Sequence, residues 1–342
     1  MHMLTLRPAF TERGSILMKT GRIKSAAGGD IAFSRIVLGV GNYGFGRNPS
    51  EKAFPLMDKY FEAGGRAMDT GRVYVAWVKG GASQSERNLG DWMRSRGVRS
   101  EMTVITKGGH PEWRAIHHSR LAPECIEYDI RTSLAVMDIE DIDIYFLHRD
   151  DEQIPVGEIM DALHEHVEEG LCKSIGASNW TIARILEANA YAAKHNKTPF
   201  TASQIQWTLA DCHRYMLGDQ TCLCMEPREY EGYLNAGIPV LSYTSQARGF
   251  FTKYLEGGAA AVTRNGMPSL FLTDVNIERA QKVDEVCKKL GCSPAALSTA
   301  YVTDNKLDGY AIVGCSNMEQ LEDTLTANDL LLEQTTIDYL LS

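Results

Sequence analysis

No apolar run in this chain approaches the ~18 to 20 residues of a membrane-spanning helix. The N-terminus also lacks an apolar core followed by a small-residue cleavage site. A cytoplasmic protein is therefore expected. Paired C-x-x-C spacings are absent among the eight cysteines, so reduced core thiols are expected in place of disulfides or a structural zinc. Basic residues are in deficit, 35 against 44 acidic, for a net charge of −9, and no stretch interleaves Lys and Arg with stacking aromatics. Nucleic acid and anionic membrane are thus poor partners. There is no internal repeat, Pro-rich linker or long charge block to mark a domain boundary.

What is present is ordinary globular material, 44% hydrophobic and 23% charged, which excludes disorder and coiled coil for the bulk of the chain. At ~150 residues per domain, 342 residues allow two domains, but an α/β barrel uses ~250 or more as one unit. Eight short apolar runs start at Arg35, Arg66, Met102, Ile142, Lys173, Ala202, Pro239 and Tyr310. Their near-continuous hydrophobicity suits parallel strands buried on both faces. The spacings are 31, 36, 40, 31, 29 and 37, each one βαβ unit, and then 71. Helical patterns fill the intervals: one capped by Ser50, one opened by Ser85-Glu86, then 122–137, 157–169, 181–195, 226–236, 275–290 and 293–301. The pattern predicts an α/β fold, a single-domain (β/α)8 TIM barrel over residues 18–342 with enlarged loops on the active face. Residues 1–17 read as an N-terminal extension, and Gly257-Gly258-Ala259 as part of a long loop.

Two motifs point elsewhere. Gly39-Val40-Gly41-Asn42-Tyr43-Gly44 matches G-x-G-x-x-G, and Asp69 ends the next run, as in a Rossmann dehydrogenase. The helix, however, is expected to start only near Ser50, too late to aim its amides at a pyrophosphate. His164-Glu165-His166 would fan around a helix axis instead of converging on one ion, and reads as a solvated face.

In a parallel barrel, chemistry gathers where strands end. Asp69 closes the second run, Lys107 the third and His148 the fourth, with Tyr74 five residues after Asp69. Asp69-Thr70, Tyr74, Ser85-Glu86, Thr106-Lys107, Leu147-His148-Arg149, Gly176-Ala177-Ser178-Asn179-Trp180, Gln204-Ile205-Gln206, Tyr243-Thr244 and Ile312-Val313-Gly314 occur in that order. In this ordered set the chain resembles the aldo-keto reductase superfamily over nearly its whole length.

The resemblance implies a (β/α)8 barrel that interconverts carbonyl and alcohol with NAD(P)H and no metal. A carbonyl receiving hydride develops an alkoxide and needs a proton donor and a polarising group. Tyr74 is the expected donor. Lys107, held by Asp69, should lower the phenol pKa, and a drop of three units would take roughly 4 kcal/mol. His148 should orient the substrate oxygen. By resemblance, Ser178, Asn179 and Gln204 bind the nicotinamide carboxamide, Tyr243 stacks on its ring, and Arg248 and Gly249 follow the pyrophosphate.

Where many members offer Lys and Arg to an adenosine 2′-phosphate, this chain has uncharged Gly314 and Gln320, with Ser316 between them and Thr324 in place of an Asn. NADP is the expected cofactor, with NAD as the alternative. Trp77, Trp113 and Trp180 are expected to ring the mouth and stack on a sugar or an aromatic ketone. Polar His110, Arg149 and Asp150 tilt the expectation toward a hydroxylated, sugar-like substrate. The competing functions are a Rossmann-type dehydrogenase and a non-catalytic cofactor-sensing subunit on the same barrel. Oligomeric state and reaction direction are open at this level.

Overall fold

The computed structural model describes residues 18–41, 43, 49–112 and 115–342. The expected N-terminal extension (1–17), part of the Gly39 to Gly44 motif, and Trp113 lie outside them. A hairpin, β1 (Thr20–Lys24) and β2 (Asp30–Ser34), precedes the first barrel strand. The barrel consists of β3 (Ile36–Gly39), β4 (Ala67–Asp69), β5 (Thr103–Gly108), β6 (Ile144–Leu147), β7 (Ile175–Ser178), β8 (Ala202–Gln204), β9 (Val240–Ser242) and β12 (Gly309–Val313). These eight pair in parallel and close, β12 bonding to both β9 and β3. Closure rules out the open sheet of a Rossmann domain. All eight expected runs are present, with individual ends shifted inward or outward by no more than two residues.

The barrel interior is filled by Val37, Ala67, Ile105, Ile144, Phe146, Ala202, Leu241 and Ile312. Its N-terminal end is plugged by the β1–β2 hairpin, whose alternating pattern turns Ile23 and Phe33 inward. Phe33 stacks on Tyr310 at 4.8 Å between centroids. A Cβ at residue 21 would lie 2.2 Å from the Tyr310 hydroxyl, so only Gly21 lets the hairpin seat. With that end sealed, the site must form at the other.

The helical layer follows the expected segments: α1 (Pro49–Glu62), α2 (Gln84–Arg96), α3 (Pro123–Met137), α4 (Val156–Glu168), α5 (Ile182–His195) and α6 (Pro227–Ala236). Helix α1 begins at Pro49, so Ser50 is a first-turn residue and not the cap, consistent with proline's fixed φ at a helix start. The 71-residue interval is more ordered than expected. It holds α7 (Phe250–Ala261), a hairpin β10 (Thr263–Arg264) and β11 (Met267–Pro268), α8 (Asp274–Leu290) and α9 (Pro294–Thr303). Gly257 and Gly258, expected in a loop, distort α7 from within. Asn265-Gly266 turns the hairpin with φ of 52° and 74°. After β12 come α10 (Met318–Leu325) and α11 (Gln334–Leu341), the latter packed on α8.

All eight cysteines are unbridged, and five are buried. His166 is buried rather than solvated, because that side of α4 faces the barrel. Among the described residues, no helix is long and apolar enough to cross a membrane.

Candidate active site

Asp69, Lys107 and His148 stand at the carboxyl ends of β4, β5 and β6, three adjacent strands, so their side chains meet at one rim. Lys107 is 1% exposed; its Nζ donates to Asp69 Oδ2 at 2.6 Å and to the Thr70 carbonyl at 2.7 Å. Tyr74, in the turn after β4, lies beside Lys107, whose Nζ is 4.9 Å from the ring centroid. The His148 ring meets the Tyr74 ring edge to face at 5.5 Å. The Ser85-Glu86 motif acts from beneath. Ser85 Oγ bonds Thr70 Oγ1 and donates to the Val40 carbonyl, while Glu86 accepts from Thr106, tying the ends of β3, β4 and β5 to α2.

Burial sets the protonation states. The Tyr74 phenol is raised above its usual value, because desolvation outweighs the Lys107 charge. Lys107 does act to lower it, as expected, but the expected net fall is corrected: the phenol keeps its proton at neutral pH and is ready to donate it. Desolvation pulls Lys107 down, but Asp69 and Tyr74 more than compensate, so it is raised and remains an ammonium. The Asp69 carboxyl is raised by burial, with Lys107 opposing. Burial, reinforced by Arg149, drives His148 well below its usual value, and its Nδ1 is buried with no hydrogen-bond partner. His110 packs on His148 at 4.9 Å and is lowered to about 4, chiefly by burial. Its loop is held by the buried Asp129, which accepts from the Gly109 amide and pairs with Arg72 at 2.7 Å.

The residues expected around a nicotinamide occupy the neighbouring arc. Ser178 and Gln204 are register partners at the ends of β7 and β8, and both are buried. Asn179 follows in left-handed conformation (φ 61°), its Nδ2 donating to the His148 carbonyl and to Ser178 Oγ. The Tyr243 hydroxyl donates to Asn179 Oδ1 at 2.7 Å, and the same oxygen accepts from the Leu223 amide. Gln204 Nε2 donates to Asp69 Oδ1 at 2.9 Å. Gln204 thus joins this arc to the Asp69-Lys107 pair, a link that sequence spacing, with a separation of 135 positions, gave no sign of.

Farther out, Arg248 and Gly249 adopt φ of 57° and 73° just before α7, and the Gly249 amide donates to the Gln246 carbonyl at 2.8 Å. Gly314 is exposed, and a Cβ there would meet nothing within 4 Å. Gln320 Oε1 accepts from the Ser316 amide, and Asn317 caps α10 through the Gln320 amide. Thr324 is buried, bonded to Gln246 and Cys315. Of the two described tryptophans expected at the mouth, Trp180 does not join the ring. Trp180 is fully buried, packed on Phe200 with its indole N–H on the Arg149 carbonyl, so its surface is used by the core. Trp77 is 46% exposed, three residues beyond Tyr74. Arg149 is spent on Thr221 and Asp219, and Asp150 on Arg184.

Gly41 gains a different role from the phosphate-binding one its motif suggested. A Cβ at that position would lie 3.0 Å from Tyr74 Cδ2 and 3.1 Å from Cε2. Gly41→Ala should therefore press the phenol aside by a few tenths of an ångström. Misplacement by about 1 Å can cost 10²-fold, so we expect a kcat several-fold lower with unchanged dinucleotide affinity. Steady-state kinetics beside a binding titration checks this; loss of binding would contradict the placement.

The family model described as "Aldo/keto reductase family" matches residues 35–342. Among curated proteins, the chain is 28% identical over 314 residues to norsolorinic acid reductase stcV of Emericella nidulans, covering 87% of this chain and 74% of that one. It is 27% identical over 313 residues to the aryl-alcohol dehydrogenase [NADP(+)] of Phanerodontia chrysosporium (87% and 77%). It is 29% identical over 315 residues to the uncharacterised oxidoreductase YrpG of Bacillus subtilis (88% and 89%). With eight parallel strands closed around a buried Asp69-Lys107 pair and a family match that begins at the first barrel strand, the chain belongs to the aldo/keto reductase family and is an NAD(P)-dependent oxidoreductase.

Proposed function

We propose that this protein interconverts an aromatic aldehyde or ketone and its alcohol, with NADP(H) as redox partner and Tyr74 as general acid and base. The observation that carries this reading is half-buried Tyr74 against the buried Lys107-Asp69 pair, beside His148, whose Nδ1 is the kind of orphaned polar atom a ligand oxygen completes. The bound nicotinamide supplies or accepts the hydride. Tyr74 delivers its proton to the developing alkoxide, and Lys107 stabilises the phenolate left behind. Neutral His148 orients the carbonyl oxygen, and Asp69 keeps the ammonium aimed at the phenol. In alcohol oxidation the phenolate takes the proton back.

The residues present fit the dinucleotide. Ser178, Asn179 and Gln204 form an adjacent set of amide and hydroxyl groups for the carboxamide, and Tyr243 is fixed by Asn179 for stacking. Arg248 and Gly249 would follow the pyrophosphate, with Gly314, Ser316 and Gln320 at the adenosine end. The aromatic substrate class is supported by the exposed Trp77 indole and by the aryl-alcohol name of a relative. Arg149 and Asp150, the polar groups that suggested a sugar, are committed to loop contacts.

Fluorescence titration with NADPH and NADH tests the cofactor, followed by a panel of aryl aldehydes, aliphatic aldehydes and sugars. Absence of binding by either dinucleotide would overturn the reading, and turnover of sugars alone would overturn the aromatic assignment. The open space at Gly314 permits a sharper test. Gly314→Lys should shift preference toward NADPH by roughly tenfold or more, the worth of one charge-assisted hydrogen bond to a phosphate. An unchanged NADPH to NADH ratio would remove this segment from the adenosine site.

A further inference from the structure

Three cysteines lie in the long segment between β8 and α6, and two of them share a neighbour in Gln206. Cys212 and Cys224 are 9% and 3% exposed, and each thiol shifts the ionisation of the other. Gln206 brings them together: its Nε2 donates to Cys212 Sγ at 3.0 Å, while its backbone forms a parallel bridge with Cys224. Both thiols line a cleft of about 450 Å³ flanked by Trp207, Tyr230 and Tyr301. The cleft gives a small solute access to sulfur atoms otherwise covered by protein.

We infer that Cys212 and Cys224 form a peroxide-oxidisable dithiol, and that their disulfide loosens the clamp made by Asn179 and Tyr243. The neighbouring Cys224 thiol, assisted by Gln206 and the Arg248 charge, lowers the Cys212 pKa, so Cys212 is the attacking thiolate. It attacks one peroxide oxygen and the O–O bond breaks, leaving a sulfenic acid and, after protonation, water. Cys224 gives up its proton and attacks the sulfenic sulfur; the S–O bond breaks and a second water leaves. Two thiols and one hydrogen peroxide become one disulfide and two waters, the sulfurs losing two electrons to the peroxide.

The consequence follows from the chain between the sulfurs. Leu223, next to Cys224, donates its amide to Asn179 Oδ1, and its carbonyl accepts from the Tyr243 hydroxyl at 3.2 Å and from the Gln206 amide. A covalent bond must draw the two sulfurs together to ~2.05 Å. The pull falls on the backbone that anchors both side chains. This second step rests on the cofactor placement proposed above, whereas the disulfide itself does not.

The reduced full-length protein is treated with hydrogen peroxide, alkylated with N-ethylmaleimide and mapped by mass spectrometry. The expected result is a linked pair of peptides carrying Cys212 and Cys224, lighter by two hydrogens. The pair should disappear in Cys212→Ser, persist in Cys222→Ser and reverse with dithiothreitol. Full alkylation of both cysteines after peroxide would overturn the proposal, as would linkage confined to Cys287 and Cys292, whose backbones are hydrogen-bonded at 3.1 Å. In parallel, oxidation should weaken NADPH binding several-fold in the wild type and leave Cys212→Ser unaffected. A disulfide with unchanged affinity would refute the coupling. No NADPH binding in the reduced protein would instead refute the cofactor reading, with the disulfide still readable.

Discussion

Replacing Tyr74 by Phe is expected to lower kcat by about 10²- to 10⁴-fold, the range lost when a positioned proton donor is removed. The ring remains, so its packing beside Gly41 and Gly71 and its edge contact with His148 survive. Only the hydroxyl goes, and with it the group whose ionised form the Lys107 charge favours. The arc of Ser178, Asn179, Gln204 and Tyr243 has its own hydrogen bonds, none of which passes through the phenol, so dinucleotide affinity should be nearly unchanged. The decisive measurement is kcat against Kd in the same preparation. Reductase turnover at the wild-type rate would sink the assigned mechanism, and the search for a proton donor would move to His148.

The second large effect concerns stability as well as rate. Lys107 and Asp69 are 1% and 3% exposed and lie 2.6 Å apart. Lys107→Met leaves a buried carboxylate without its counter-charge, a loss of about 3 to 5 kcal/mol. Pairing it with Asp69→Asn removes the second charge, so the double variant should regain most of that stability while kcat stays as low as in the single variant. Urea denaturation followed on both variants measures the coupling directly.

The pH dependence has a definite sign. Burial already raises the Asp69 pKa, and removal of Lys107 raises it further. A folded pKa above the unfolded one contributes stability that is present at acid pH and lost as pH rises through the folded value. The deficit of Lys107→Met relative to wild type should therefore be largest at neutral pH and shrink on acidification. A deficit independent of pH would mean that the missing charge is not its source.

Much of this site was legible because parallel strands leave a local signature. An apolar run closed by Asp69, Lys107 or His148 can be read within a few residues, and parallel order puts successive run ends on one rim. The same locality explains the failures. Trp180 follows β7 as a mouth residue would, yet Phe200 and the Arg149 carbonyl, distant in sequence, claim its surface. The G-x-G-x-x-G match had a true glycine constraint at Gly41, but its cause is the Tyr74 ring across the turn and not a phosphate. The β1–β2 hairpin was missed because its alternating pattern covers only five residues per strand.

By itself, the sequence determined the eight strands, their parallel order, the family and the four chemical groups at the rim, all of which follow from short-range patterning and residue type. Tertiary structure alone decided that the hairpin seals one end, that Gln204 reaches Asp69, and that Arg149 and Asp150 belong to loops. It also decided the direction of the Tyr74 shift. Sequence names the cation beside the phenol, but the cost of burying a phenolate depends on how much water the fold excludes, and that is a sum over the whole barrel mouth.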